Sequence, residues 1–475
     1  MPYYFDFFYK SCYICNGLEQ VVCKTDKSCP KFFYLKFYGT DTELFSSETL
    51  KTYYTKMSKR KIPVLMKLLF VFSLTAGLAS GCSETIFEEK INYNDITVPF
   101  KDTFVQDTVS FGELSKKSSR YIFRLDESSA SIVDENKYSF KMNELIQIRE
   151  TASGDSVRIT SYSAQTIHDI KLEIYLPDAD IYLPMAQLDS IPGFSQFEFK
   201  PSFIGKRTVY KKPDGQFISF KYDYLDFDSM KPRLTSSDKH FQMLQKIDSE
   251  WYLHFSNYDW KDESSNGGWR EMRPIFAREW VVIMTNFAYM LTTPEYKHVM
   301  DNFSKIFGGD LYDNNKVPFT KEQYRERTEY FKKNHRFRLG RTGDQVSGLG
   351  GGSTLGIASY NFYGHYASYS GWEAVMHEFM HCMNYSHDSN MTYANKQGIG
   401  WTVFIWQLHL WLSRQQNLPY LDRHLLDFTN PEYAEYRDNT GIRSEFLDDA
   451  ALEKKIQGYY NGSALVKYLS ENPID

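Results

Sequence analysis

Apolar and polar residues alternate along much of the chain before residue 235, and this period of two is typical of half-buried strands. In residues 170–176 the apolar side chains occupy one face and the charged side chains the other. The pattern recurs in residues 156–161, 197–199 and 217–224, with turns at 153–155 and 213–215. We therefore expect a β-rich domain over residues 82–234, arranged as a β-sandwich.

Helical signals replace the alternation after residue 235. They are an apolar run over 277–291, a cap and first-turn proline at Thr293 and Pro294 for a helix reaching Gly308, and a cap at Thr320 with Gln323. The chain is therefore expected to be α+β, with a second domain over residues 235–475 and a linker near 231–239.

The nearly continuous apolar stretch 401–412 needs a separate interpretation. It is too short to span a membrane, and Gln407 and His409 interrupt it. We expect a buried helix here, packed behind the functional site.

Composition narrows the range of partners. The net charge is −5, and no basic cluster appears outside residues 59–61, which argues against nucleic acid as a partner. Aromatic residues make up 17% of the chain, so aromatic-rich cores are expected.

Residues 57–81 have the features of a secretory signal peptide. A basic start at 57–61 precedes a short apolar run over 68–79, followed by small residues and Cys82. The segment resembles a bacterial lipoprotein signal, which implies cleavage before Cys82 and a lipid on that cysteine. By that resemblance the protein would be extracytoplasmic in the bacterial cell envelope, anchored by lipid to the outer membrane. A short buried helix is the alternative.

Residues 1–56 do not fit a chain that begins with a signal peptide. We interpret them as an extension that arises from a start codon assigned too early, with Met57 as the first residue. Their four cysteines match no metal-binding spacing that we recognise. The remaining cysteines would be Cys82 and Cys382, so no disulfide within the chain is expected once Cys82 carries lipid.

The strongest chemical signal is the pentapeptide at 377–381, in which His377 and His381 flank Glu378. Residues four apart project from one face of a helix, so the two histidines can bind one metal ion. Glu378 would lie beside that ion without binding it, where its carboxylate can take a proton from water and pass it to a leaving amine. This arrangement predicts a Zn²⁺ site for peptide-bond hydrolysis.

A third histidine, His387, requires the chain to reverse direction. Ten residues after His377, a continuing helix would place it roughly 15 Å along the axis. Asn384 tolerates the left-handed conformation that ends a helix. At the other end, Ser370 with Glu373 has the form of a capping box, so a helix is predicted over about 371–383.

The whole motif resembles the long zinc-binding motif of the metzincin metallopeptidases. That resemblance covers roughly residues 349–393 and implies a metzincin-like zincin catalytic domain that binds Zn²⁺ through three histidines. The matching residues are His377, Glu378, His381, Asn384, His387 and Asp388. Asn384 stands where that clan usually has glycine.

The resemblance also implies a methionine-containing turn beneath the metal and a nearby tyrosine that helps bind the metal or the transition state. Met391 and Tyr393 match these positions. Met391 follows His387 by only four residues, which is closer than in most of the clan.

Two features upstream of the motif have open interpretations. Residues 349–360 form a glycine-rich loop followed by a short strand, placed where a metzincin edge strand would bind extended substrate. A plain loop and strand is the alternative. His365 either lines the cleft or is an ordinary packing histidine.

Together these patterns predict a zinc-dependent endopeptidase that acts on proteins, peptides or glycoproteins. Glu378 would serve as general base and then acid toward a zinc-activated water. One alternative is a membrane-anchored surface lipoprotein that binds glycan or protein and keeps a vestigial zinc site. Another is a structural subunit of an envelope complex.

Overall fold

The computed structural model describes Phe32–Leu35, Glu43–Ser46, Asp107–Val109 and residues 120–474, the last range without 178–179, 212–214, 263–267, 344, 366–368 and 422–448. The chain divides into two compact units, Met1–Glu84 and Thr85–Asp475. In the first unit, β1 (Phe32–Leu35) and β2 (Glu43–Ser46) pair antiparallel. The predicted signal peptide at 57–81 and Cys82 lie outside the described residues.

Most described strands between residues 107 and 236 form two four-stranded sheets and one hairpin. The sheets have the orders β4-β10-β7-β6 and β13-β8-β9-β3, and β11 pairs with β12. The strands are β3 (Asp107–Val109), β4 (Arg120–Tyr121), β6 (Ile146–Glu150), β7 (Val157–Ser161), β8 (Ile167–Leu176), β9 (Ile181–Ile191), β10 (Ser195–Phe199), β11 (Arg207–Lys211), β12 (Phe217–Lys221) and β13 (Pro232–Ser236).

The alternation in the sequence is confirmed as strand structure at all four places, except that the strand predicted over 217–224 ends at Lys221. In β8 the apolar residues from Ile170 onward are buried while Lys171 is exposed, as a strand with one covered face requires. The turn glycines Gly154 and Gly215 both have positive φ, at 70° and 86°.

A six-stranded mixed sheet lies at the centre of the region that carries the histidine motif. Its order is β17-β18-β16-β14-β5, with β15 paired to β16. The neighbours β14, β16 and β18 run parallel, whereas β17 returns antiparallel along β18. The strands are β5 (Ser139–Lys141), β14 (Tyr252–Phe255), β15 (Trp269–Arg270), β16 (Arg336–Thr342), β17 (Gly348–Gly351) and β18 (Thr354–Ala358).

Eleven helices occur in the described part of the chain, which confirms a mixed α+β fold. They are α1 (Ser129–Ile132), α2 (Lys239–Leu244), α3 (Pro274–Thr292), α4 (Pro294–Asp301), α5 (Phe303–Phe307), α6 (Lys321–Lys332), α7 (Ser359–Gly364), α8 (Tyr369–Cys382), α9 (Trp401–Arg414), α10 (Asp449–Asn461) and α11 (Ala464–Glu471).

Two predicted helix caps are confirmed. The Thr293 side chain accepts a hydrogen bond from the Tyr296 backbone N–H at 3.2 Å, with Pro294 as the first residue of α4. Thr320 and Gln323 form a complete capping box at the start of α6.

The helix expected from Pro294 to Gly308 is instead two helices, α4 and α5. The side-chain amide of Asn302 donates to the His298 carbonyl oxygen at 2.8 Å. In a continuing helix the backbone N–H of Asn302 would donate to that same oxygen, so the side chain competes with the helix for it. Gly308 then ends α5 with a φ of 75°.

Helix α9 is confirmed as a buried helix, with Phe404, Leu408 and Leu412 fully covered. In the described residues, no helix is both long enough and apolar enough to cross a membrane.

The division at residue 235 stays a prediction, but strand pairing crosses it. Strand β5 precedes that residue in the chain and pairs antiparallel with β14, which follows it. In the same way the ring of Phe123 packs edge-on against Phe255, with 5.4 Å between centroids.

Candidate metal centre

Helix α8 carries the first two histidines of the motif. His377 and His381 are one turn apart, and their Nε2 atoms lie 3.0 Å from each other. The opposite side of the helix is anchored by Phe379, whose ring contacts Trp251, Phe287 and Trp401 in the aromatic core. The core therefore fixes the rotation of the helix that presents the two imidazoles.

The helix starts two residues earlier than the sequence predicted, and the proposed capping box is wrong. Ser370 is the second residue of α8 and so is not its N-cap. The Glu373 carboxylate accepts a hydrogen bond from the Tyr369 hydroxyl at 2.9 Å instead of returning to a cap.

Asn384 ends the helix as predicted, with a φ of 66°. Its backbone N–H donates to the His381 carbonyl at 3.1 Å, and the next N–H, of Tyr385, donates to the Met380 carbonyl at 3.0 Å. This pair of bonds is a Schellman motif, which reverses the chain direction. The reversal brings the Nε2 of His387 to 3.0 Å from that of His381.

The hydrogen bonds behind two histidines determine which ring nitrogen faces the centre. The Nδ1 of His377 lies 3.2 Å from the Thr392 carbonyl, and the Nδ1 of His381 lies 2.7 Å from the Tyr385 carbonyl. Because a carbonyl can only accept, each Nδ1 carries the proton and each Nε2 presents a lone pair.

Two facing lone pairs repel each other unless a cation lies between them. The ligand atoms of the three histidines lie within 4.8 Å of one another, close enough for all to contact one ion. Neutral imidazole suits zinc, copper, iron and nickel. The donor set therefore fits a metal ion of that group, without identifying which one.

Burial keeps the imidazoles of His377 and His381 neutral, as metal ligands must be. Removal from water lowers the pKa of His377 to about 4, partly offset by its bond to the Thr392 carbonyl. Burial lowers the pKa of His381 for the same reason. Few protons therefore compete with a metal for these nitrogens at neutral pH.

A loop before α6 supports the turn that presents His387. The side chain of Asn314 donates to the Asn384 carbonyl at 2.9 Å and accepts from the Ser386 backbone N–H at 2.7 Å. The side-chain amide of Asn314 thus bonds to the backbone on both sides of Tyr385, the residue that follows Asn384. No local pattern marks this contact, which joins residues 70 positions apart.

Met391 and Tyr393 lie on the turn beside the first ligand. Met391 is fully buried, and its neighbour Thr392 supplies the carbonyl that orients His377. The Tyr393 ring lies 4.1 Å from that of His377 and 5.2 Å from that of His387, measured between centroids. Tyr393 is nonetheless 46% exposed, so it borders the open side of the centre.

Glu378 is buried against strand β17 rather than pointing into solvent. A β-carbon at Gly348 would come within 2.5 Å of its Oε1, and one at Gly350 would come within 2.7 Å of its Oε2. Two alternate glycines on one face of the strand therefore leave room for the carboxyl group. The glycine-rich start of residues 349–360, predicted as a loop, is thus largely strand, and glycine at every second position is a strand-like signal for close approach.

The same burial changes the acidity of Glu378. Desolvation raises the pKa of its carboxyl group to about 7. A carboxyl with that pKa can both accept and release a proton near neutral pH.

The remaining candidates are separate from the centre. His365 is completely buried, 3.2 Å from the Glu279 carboxylate and edge-on to Trp372, so it does not line an open cleft. Cys382 is a buried free thiol whose pKa burial raises to about 12.

Comparison with protein-family models, with curated proteins and with solved structures finds no significant match to this chain. The case for a metal centre comes from the donor atoms and their surroundings. In the described part of the chain, the three histidines form the one group of three or more His, Cys, Asp or Glu side chains with the spacing of metal ligands.

Proposed function

We propose that this chain is a zinc-dependent endopeptidase, in which His377, His381 and His387 hold the metal and Glu378 transfers protons. The observation that carries the proposal is the combination of three convergent imidazoles with the buried carboxyl group of Glu378, on the helix that also carries His377 and His381. When bound, zinc would supply Lewis-acid chemistry, polarising a carbonyl group and making water more acidic.

Glu378 would remove a proton from the attacking water and later deliver one to the leaving amine. Its raised pKa, about 7, suits both roles at neutral pH because neither the protonated nor the ionised form is strongly disfavoured. The glycine wall at Gly348 and Gly350 would hold the carboxyl group in a fixed position between the two proton transfers.

The substrate would bind along β17. This strand is at the end of the strand order of the six-stranded sheet and packs against α8, next to Glu378. An edge strand offers backbone donors and acceptors to an extended peptide, which would add to the sheet as a further strand. Tyr393 would border the other side of the bound peptide and contribute its hydroxyl.

The proposal includes a metzincin-like catalytic domain, supported by the motif and by the buried turn at Met391. It also includes a β-sandwich formed by the two four-stranded sheets, supported by their buried apolar faces. A lipid anchor at Cys82, with an extracytoplasmic location in the bacterial envelope, rests on the pattern of residues 57–82.

Two measurements test the proposed activity, and a third tests the lipid anchor. Metal analysis of purified protein should give one zinc per chain, and profiling against peptides derived from a proteome should show internal cleavage that a chelator abolishes. A chain that holds zinc but cleaves none of these peptides would favour the binding lipoprotein.

Mass spectrometry of the membrane-derived protein should find a lipid-modified Cys82 as the first residue, and an unmodified Cys82 would contradict the anchor.

A further inference from the structure

Glu373 lies on the metal-binding face of α8, one turn before His377. Residues 373, 377 and 381 are four apart, and each such step turns the helix by about 400°, so the three side chains lie in one row. Glu378 projects about 100° from His377 and therefore lies outside that row. The carboxylate of Glu373 continues the line of the two ligands toward the start of the helix.

The position of this carboxylate is fixed by its neighbours. The Tyr369 hydroxyl donates to Glu373 Oε1 at 2.9 Å, and the same hydroxyl lies 3.3 Å from the Thr402 hydroxyl. Helix α9, which begins at Trp401, thereby helps to hold Tyr369 in place. This network engages one carboxylate oxygen, and within the described residues the other oxygen of Glu373 accepts no hydrogen bond.

The negative charge of Glu373 has no cationic partner in the described part of the chain, where no lysine, arginine or histidine lies within ion-pair distance of it. By contrast, the partly buried carboxylate of Glu173 has a cationic partner, Arg233, at 2.6 Å. A carboxylate with a free oxygen can accept a strong, charge-assisted hydrogen bond from a cationic ligand group.

Glu373 is partly exposed and lies one turn of α8 from His377, on the face that carries both helical ligands. The Tyr393 ring in turn lies against His377 and is nearly half exposed. A peptide that reaches the metal along the His377 end of this row would pass the Glu373 carboxylate.

We propose that Glu373 is a specificity-determining residue that binds a cationic nitrogen of the substrate on the His377 side of the metal centre. This inference rests on the proposed peptidase function. The nitrogen belongs either to a lysine or arginine side chain or to the free amino terminus of the peptide. In both cases the contact is a charge-assisted hydrogen bond to the carboxylate oxygen that Tyr369 does not use.

The test measures binding without turnover, in zinc-loaded Glu378→Gln protein. One lysine is moved along an otherwise neutral, N-acetylated peptide, and the Kd at each position is compared with that of the norleucine peptide. A second arm compares free with acetylated amino termini. The same set is then measured with Glu373→Gln added, since glutamine keeps the shape and can still accept from Tyr369.

We expect lysine at one position, or the free amino terminus, to bind about tenfold more tightly than its neutral counterpart, and Glu373→Gln to remove that preference. Which arm responds identifies the source of the nitrogen. Tyr369→Phe should reduce the preference partially, because the carboxylate loses its orienting bond. Glu150→Gln, which removes an exposed charge in strand β6, is the matched control and should leave every ratio unchanged.

The inference is overturned if adding Glu373→Gln leaves the lysine-to-norleucine and free-to-acetylated ratios unchanged at every position, or if no peptide binds. Failure of the proposed function looks different. In that case the zinc-loaded wild-type chain cleaves no peptide, while the binding ratios still report on Glu373.

Discussion

Gly350 lies so close to Glu378 that a β-carbon at residue 350 would come within 2.5 Å of the Glu378 carbonyl oxygen and 2.7 Å of its Cα. No ordinary side chain fits such a gap, so strand β17 can rest on helix α8 only through glycine. The contact joins the edge of the sheet to the residue that we propose as the proton carrier.

Alanine at the two glycines should therefore have different effects. In Gly350→Ala the new β-carbon clashes with backbone atoms of Glu378, so strand β17 must move away from helix α8. We expect the free energy of unfolding to fall by about 1–3 kcal/mol. Gly348→Ala meets only the Glu378 side chain, which can rotate. It should lower kcat by about tenfold or more while zinc content and Tm change little. Equal losses of stability in both variants would contradict this contrast.

The bridge formed by Asn314 should matter for metal affinity. Asn314→Ala removes both bonds that hold the turn before His387, so the third ligand is less well positioned. Outer contacts of this kind are commonly worth about 10–100-fold in metal affinity, and competition with a chromophoric chelator would measure the loss. Asn315→Ala, in the same exposed loop, is the control. Identical zinc affinities in the two variants would show that the contacts of Asn314 do not help to position His387 for metal binding.

Glu378 should make the metal-free protein less stable as pH rises. Its pKa is raised from 4.5 to about 7 in the folded chain. Between these values the unfolded chain has already released a proton that the folded chain retains, so unfolding is favoured progressively across that window. Glu378→Gln removes this effect.

The measurement is the Tm of metal-free Glu378→Gln minus that of metal-free wild type. This difference should increase in favour of the variant from about pH 4.5 to about pH 7 and then level off. His377 acts in the opposite direction, because its lowered pKa adds stability as pH rises from about 4 to 6.5, but it does so in both proteins. A constant difference across this range would mean that Glu378 is not desolvated.

Truncation at residue 235 tests whether the domain boundary predicted from the sequence is correct, or whether the strand pairing that crosses it is needed for folding. A fragment 235–475 lacks β5, which pairs with β14, and lacks Phe140, a fully buried residue of that strand. We expect the fragment to be poorly folded by circular dichroism with zinc present, whereas Thr85–Asp475 folds. Cooperative unfolding and zinc binding by 235–475 alone would restore the boundary at 235.

Local signals in the sequence were enough to predict the elements that carry the ligands. The four-residue spacing of His377 and His381 and the left-handed preference of Asn384 depend on neighbours in the chain, and the structure has both features. The capping pair at Thr320 and Gln323 is a local signal of the same kind.

Features that depend on distant contacts could not be predicted in this way. Ser370 has the composition of a cap, but the helix begins earlier and Glu373 bonds to Tyr369. Asn314 contacts a turn 70 residues away, and nothing in its neighbourhood in the chain indicates that contact. Glu373 could have been recognised, since it is spaced four residues from His377, but its lack of a cation is visible only in three dimensions.

The most direct test of the central claim compares wild type with Glu378→Gln and His381→Ala on one susceptible peptide, with zinc measured in each protein. His381→Ala removes a ligand, so zinc affinity and activity should fall together. Glu378→Gln keeps all three ligands and nearly the same shape, so it should retain zinc and bind the peptide. Its cleavage rate should fall at least about a hundredfold, because proton transfer loses its carrier. Equal turnover by wild type and zinc-loaded Glu378→Gln would contradict the role of Glu378 and the mechanism built on it.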